Sequence, residues 1–168
     1  MEIPLRKVIS GGQCGVDRAG LDEAYSFGIE TGGTAPRRWR THFGSDFSLE
    51  SLGLTEHFSA EYPPRTECNV VNSDATLILA SNLNSPGVSL TRKLCHKHNK
   101  PFLCIKLPFK ESDANEAASF IRNQGVAVLN VAGNRDKEGS FNYDQSRMIL
   151  NSVFKILDEQ KLINFKNK

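Results

Sequence analysis

The sequence is short of cysteine, has a single tryptophan, carries almost no net charge and contains no long apolar run. Each shortage removes a class of protein. The four cysteines, Cys14, Cys68, Cys95 and Cys104, form no CxxC pair and have no histidine at zinc-finger spacing. That argues against a structural metal site and leaves a reduced, cytoplasmic protein as the expectation. Lys plus Arg number 21 against 19 Asp plus Glu, a formal charge of +2. So close a balance gives no bulk attraction to nucleic acid or to a membrane surface. The opening residues MEIPLRKVIS lack the apolar stretch of a signal peptide, and no run approaches the roughly 20 residues of a membrane span. No internal repeat is visible.

What remains is a chain of 168 residues, 39% hydrophobic and 24% charged, the balance of one globular domain over residues 1–168. Short apolar runs alternate with helical periodicity. The run from Leu5 to Ile9 reads as a strand and stops at Gly11-Gly12-Gln13-Cys14-Gly15. From Val16 a helical period follows, with Asp17 in the first turn and Gly28 as the C-cap. Ile29 to Ala35 predicts a second strand. Between Pro36 and Pro63 no period persists, which predicts an irregular excursion, and Pro64 can start a short helix. Thr76 to Ala80 (TLILA) is apolar enough to be covered on both faces and is expected at the centre of the sheet. Leu90, Leu94 and Cys95 mark a helix whose basic end, Lys97, His98 and Lys100, is expected to complement its C-terminus. Pro101 to Ile105 and Val126 to Val131 are further strands. Ala114, Ala117, Ala118 and Ile121 form a helical stripe, with Asp113 and Glu116 as its expected capping box, and Ile149 to Leu157 carries the last helix. Strands separated by helices need crossover connections, so the class is α/β with a mostly parallel sheet.

In such a sheet the segments that follow the strands share one edge, and ligands bind there. The loops so placed are Gly11 to Gly15, Gly32 to Arg37 with Thr34, Ser81 to Thr91, and Gly133, Asn134 and Arg135. Gly11 to Gly15 and Ser85 to Ser89, with Gly87 and Val88 between, each run into a helix N-terminus, where free amides favour an anion. The bland alternative at both is a tight turn. Asp74 precedes its strand and belongs to the opposite edge. Arg37, Arg38, Trp39, Arg40 and His42 form the one basic cluster, read mainly as a solvated loop with Arg37 nearest the cleft; a single-stranded nucleic-acid site is the alternative. Cys14 is either an activated thiol beside helix-starting amides or a small residue tolerated in a turn. The carboxylates allowed by the edge rule, Asp17, Asp22 and Asp136, form no nucleophile and base constellation, so no catalytic or metal residue is assigned.

The segment Gly11 to Asp22 (GGQCGVDRAGLD), then Gly32-Gly33-x-x-Pro36-Arg37, Arg65-Thr66-x-x-Asn69-Val70-x-x-Ser73-Asp74-Ala75-Thr76-Leu77-Ile78-Leu79 and Leu129 to Arg135 (LNVAGNR), resembles the molybdenum cofactor carrier family. The match spans nearly the whole chain in motif order. The resemblance implies a Rossmann-like fold with helices on both faces of the sheet, related to the cytokinin-activating phosphoribohydrolases. It implies a carrier that binds, stores and protects molybdenum cofactor, the molybdopterin with its molybdenum, for transfer to molybdoenzyme apoproteins. A homo-oligomer, tetramer favoured, is implied as well. The family typically has Thr where Cys14 stands and a Gly-Gly-Thr-like loop where this chain has Gly87-Val88-Ser89. Edge rule and resemblance together nominate Gly11, Gly12, Gln13, Cys14, Gly15, Arg18, Thr34, Arg37, Ser81, Gly87, Val88, Ser89, Gly133, Asn134 and Arg135 for cofactor binding. The rival expectation is a nucleotide hydrolase acting on nucleoside monophosphates. Against it, Arg92 and Lys93 stand where the phosphoribohydrolase motif would continue toward a glutamate.

Overall fold

The computed structural model describes residues 2–166. In chain order the elements are β1 (Lys7–Ile9), α1 (Val16–Phe27), β2 (Glu30–Ala35), a 3-10 turn (Arg37–Trp39), β3 (Arg40–Thr41), β4 (Gly44–Ser45), α2 (Ser48–Ser51), β5 (Leu54–Glu56), α3 (Tyr62–Val71), β6 (Ala75–Ala80), α4 (Pro86–Lys97), β7 (Phe102–Lys106), α5 (Glu111–Asn123), β8 (Val128–Gly133) and α6 (Asn142–Glu159). Six strands form one sheet in the order β5-β2-β1-β8-β6-β7, and every pairing in it is parallel. This is the expected Rossmann-like α/β architecture. Among the described residues no helix is long and apolar enough to cross a membrane.

Side-chain alternation along the strands builds two cores. Val8, Leu77, Leu79, Leu129 and Val131 pack with the buried stripes of α1, α5 and α6. On the opposite face Ile78 and Ala80 meet Val88 of α4, and Val70 of α3 meets Leu94 and Cys95. Helices thus cover both faces.

Four expectations change. The TLILA strand is buried throughout, as expected, but it lies between β8 and β7, and the middle pair is β1 and β8. Burial on both faces needs a helix above and below, not a central place. The 36–63 excursion carries a hairpin, the short α2 and β5, which pairs with β2 from Gly33↔Leu54 to Ala35↔Glu56 and so forms one edge of the sheet. Asp113 caps α5 by accepting the Lys110 N–H at 2.6 Å, so the cap is one turn earlier than Asp113 with Glu116. The basic end of α4 also finds side-chain and backbone acceptors elsewhere: Lys97 and His98 both reach Glu67, at 2.8 and 2.7 Å, and Lys100 donates to the Ser73 carbonyl.

After α6 the chain returns to its start. Leu5 donates to the Leu162 carbonyl at 2.9 Å, Asn164 donates to Leu5 at 2.8 Å, and Leu5 bridges Ile163 in parallel.

Candidate functional site

At the carboxyl end of β1 the chain turns through Ser10 to Gly15, and nearly all of this turn is buried. Its middle amides already have partners. Gly12 donates to Ser10 Oγ at 3.2 Å, Gln13 to Asp17 Oδ2 at 3.3 Å, and Cys14 to Gln13 Oε1 at 3.1 Å. Asp17, in the first turn of α1, has a side chain only 5% exposed, and Arg65 Nη1 approaches the same Oδ2 at 3.3 Å. The Gly133 backbone amide also favours the charged form of this carboxyl. Burial nevertheless pushes the Asp17 carboxyl above its ordinary value, opposed chiefly by the Arg65 charge. The glycines make room for this pair: a Cβ at Gly11 would collide with the Arg65 guanidinium, and one at Gly12, where φ is +73°, would lie 2.7 Å from Leu49. The turn closes around an anion that belongs to the protein.

The loops after β8 and β6 are joined to this turn. Val16 donates to the Asn134 carbonyl and Asp136 to the Cys14 carbonyl, both at 3.2 Å. The Asn134 side chain accepts from the Asn82 amide at 2.8 Å and from Ser81 Oγ at 3.3 Å, and it donates to Ser85 Oγ at 2.9 Å. Ser85 caps α4 by accepting the Val88 N–H at 3.3 Å. Gly87 is exposed beside it, with no atom within 4 Å of a notional Cβ.

The open cleft lies next to these loops, under the excursion. It has a volume of about 550 Å³ and is lined by Arg37, Arg38, Arg40, Thr41, His42, Tyr62 and Arg135, among others. Its shape follows from two consecutive left-handed residues without glycine, Arg38 (φ 62°) and Trp39 (φ 55°). The turn is held by Arg37 N–H to the Ser59 carbonyl at 2.9 Å and Arg38 N–H to Glu56 Oε2 at 2.6 Å. It sends the Trp39 ring into the core with Leu21, Leu49 and Leu54, while the three arginines around it line the cleft. Such backbone costs about 1–3 kcal/mol per residue, and strain of this kind clusters at ligand sites. Gln13 Oε1 also accepts the His42 N–H at 2.8 Å, tying the excursion to the β1 turn. None of the lining residues is a carboxylate. Among the described residues no group of three or more His, Cys, Asp or Glu is placed to hold a metal ion.

Comparison with known proteins agrees with this architecture. Residues 8–154 match the circularly permutated YpsA SLOG family. The chain belongs to that family. A solved structure from Syntrophus aciditrophicus SB, described as a "Putative molybdenum carrier protein", is 32% identical, with a TM-score of 0.80, over 91% of this chain and 97% of that one. No curated protein matches.

Within this YpsA-type SLOG protein the nominated residues divide. Arg37 and Arg135 line the cleft. Gly11, Gly12, Gln13 and Gly15 form the buried turn behind it, and Gly133 is packed so close to Leu79 that a Cβ would collide with the Leu79 carbonyl. Arg18 is engaged by Asp22 at 2.9 Å and by Asp46 and Ser48 at 2.8 Å, outside the cleft lining. Ser81 and Asn134 lie in the next two loops, whereas Gly87, Val88 and Ser89 belong to the first turn of α4, and Val88, nominated for the ligand, is instead buried against Ile78 and Ala80. Thr34 lies in a separate groove of about 350 Å³ with Lys7 and Asn72, and Asn69 bonds both of its backbone groups at 2.9 Å. Cys14 donates to Gln13 Oε1 at 3.3 Å, and burial pushes its thiol up from the ordinary value. Asp74 accepts the Ala127 and Val128 amides at the opposite edge, as expected. Sequence reasoning assigned no role to Tyr62, Arg65 or Asn69. Their i, i+3, i+7 spacing places them on one face of α3, the signal that could have linked them.

Proposed function

We propose that the protein binds molybdenum cofactor in the arginine-lined cleft and carries it to molybdoenzyme apoproteins. The observation that supports this reading is the convergence of Arg37, Arg38 and Arg40 from the excursion with Arg135 from the β8 loop, with no carboxylate among them. Guanidinium forks match phosphate and oxo-anion oxygens, and a charge-assisted bond is about twice as strong as a neutral one. Molybdenum cofactor offers a terminal phosphate and an oxo-molybdenum centre, and its dithiolene already supplies sulfur to the metal. The protein then needs no thiolate, which suits the raised Cys14 thiol. The solved relative described as a molybdenum carrier points the same way. The cleft is open on one side, so full shielding from oxidation calls for a second copy over its mouth, in line with a cytoplasmic homo-oligomer.

A nucleotide hydrolase would use the same arginines for its phosphate, but it also needs an acid or base, and the cleft lining holds no carboxylate and a single imidazole, that of His42. The test is molybdenum and pterin content per chain after anaerobic purification, beside an assay for base release from nucleoside monophosphates. Wild type retains molybdenum and pterin. Arg135→Ala loses about 1.5–3 kcal/mol of affinity, the worth of a hydrogen bond to a charged group, with an unchanged melt. Base release without any molybdenum retention would discard the carrier reading.

A further inference from the structure

Of the four arginines in the cleft, Arg40 alone has its guanidinium held by the protein. Its Nη1 donates to the Ala60 carbonyl at 3.1 Å, and its Cζ lies 4.8 Å from the centroid of the Tyr62 ring. The side chains of Arg37, Arg38 and Arg135 have no such partner among the described residues. Tyr62 is the first residue of α3, and that helix is itself anchored to the β1 turn by Arg65, whose Cζ is 5.6 Å from the same ring and whose Nη1 reaches Asp17. The ring therefore stands on a fixed base. We propose that Tyr62 is a positioning residue that pre-orients Arg40 as the first anion anchor of the cleft. This rests on the reading of the cleft as an anion site.

The physical reason is conformational entropy. A free arginine loses up to about 2 kcal/mol of rotamer freedom when it is fixed on a ligand. Arg40 is fixed beforehand by the cation–π contact with the ring and by one donated hydrogen bond, and most of its N–H groups remain to face an oxyanion. The flexible arginines close on the ligand after it.

Inorganic pyrophosphate is the probe, titrated calorimetrically into the full chain at low salt. Tyr62→Phe keeps the ring and binds like wild type, whereas Tyr62→Leu weakens binding about 2- to 5-fold, the equivalent of a cation–π contact at an exposed site. In the Arg40→Ala background the leucine substitution adds no further loss, because the side chain it positions is gone. Arg40→Lys, which cannot reproduce the planar fork, provides the check that does not depend on the folding of Tyr62→Leu, and it weakens binding to a similar extent. Wild-type affinity in Arg40→Lys or Tyr62→Leu overturns the proposal, as does an equal loss from Tyr62→Leu with and without Arg40. Failure of wild type to take up pyrophosphate at all overturns the anion cleft itself, and the positioning role with it.

Discussion

Replacing Arg65 by methionine leaves the buried Asp17 without its charge partner. The two side chains are only 12% and 5% exposed, so water cannot replace the guanidinium. Breaking a buried ion pair from one side costs about 3–5 kcal/mol. For a domain of this size that is a fall in Tm of roughly 10 °C, at about 2–4 °C per kcal/mol. The loss depends on pH, and its sign follows from Asp17. Its folded pKa is raised above the unfolded value of about 3.9, so the folded state binds the proton more tightly, and stability falls as pH rises between the two values. Removing Arg65 takes away the largest influence holding that pKa down, so the variant goes on losing stability to higher pH than wild type. The difference between the two proteins is therefore small in acid, where both carry a protonated Asp17, and grows toward neutral pH. Urea melts of wild type, Arg65→Met and Arg65→Met/Asp17→Asn from pH 5 to 8 measure it, with the double variant recovering most of the loss at pH 8. A pH-independent loss in Arg65→Met, or no recovery in the double variant, would refute an ionised pair as the centre of the β1 turn.

Gly12→Ala destabilises by about 1–3 kcal/mol in a thermal melt, because φ is +73° and the methyl meets Leu49, while Gly87→Ala leaves stability unchanged or raises it by about 0.4–1 kcal/mol. Equal shifts in the two would contradict the packing behind the turn. Cys14→Thr retains the melt and the molybdenum content of wild type, since a small polar group facing Gln13 Oε1 is what the position holds. In wild type, iodoacetamide alkylates Cys14 more slowly near neutrality than an ordinary thiol of pKa about 8.5, because burial raises its pKa; alkylation at the ordinary rate would contradict that environment.

Most of the sheet was legible because its strands are bounded by helices whose apolar stripes repeat cleanly, as at Ala114, Ala117, Ala118 and Ile121. β5 was not. Leu54-Thr55-Glu56 has one buried side chain and sits at an edge, so neither alternation nor hydrophobicity marks it. The clustering of the loops at one edge followed from topology alone, yet the amides of the glycine turn proved to be bonded to Ser10, Gln13 and Asp17, which spacing cannot show. Arg65 stood in a motif of the resemblance, but its role was hidden for a related reason: its partners, Gly11 and Asp17, are about fifty residues away in sequence. The arginine cluster was visible as composition, but its direction depends on left-handed geometry at Arg38 and Trp39, residue types that do not advertise it.

The bonds that join Leu5 to Leu162 and Asn164 mean that the fold is, in its connectivity, a ring cut at one place. Leu5 and Ile163 run in parallel, so a link that closes the ring has to turn back past this bridge as a loop. Once closed, the ring can be opened at another exposed turn, such as the one at Gly139, where a notional Cβ meets nothing. Every strand would keep its neighbours, and only the order in which they are synthesised, and hence the sequence separation of their contacts, would change. For a family named for its permutation, such a seam offers a physical route by which the order of elements along the chain can change while the sheet stays the same.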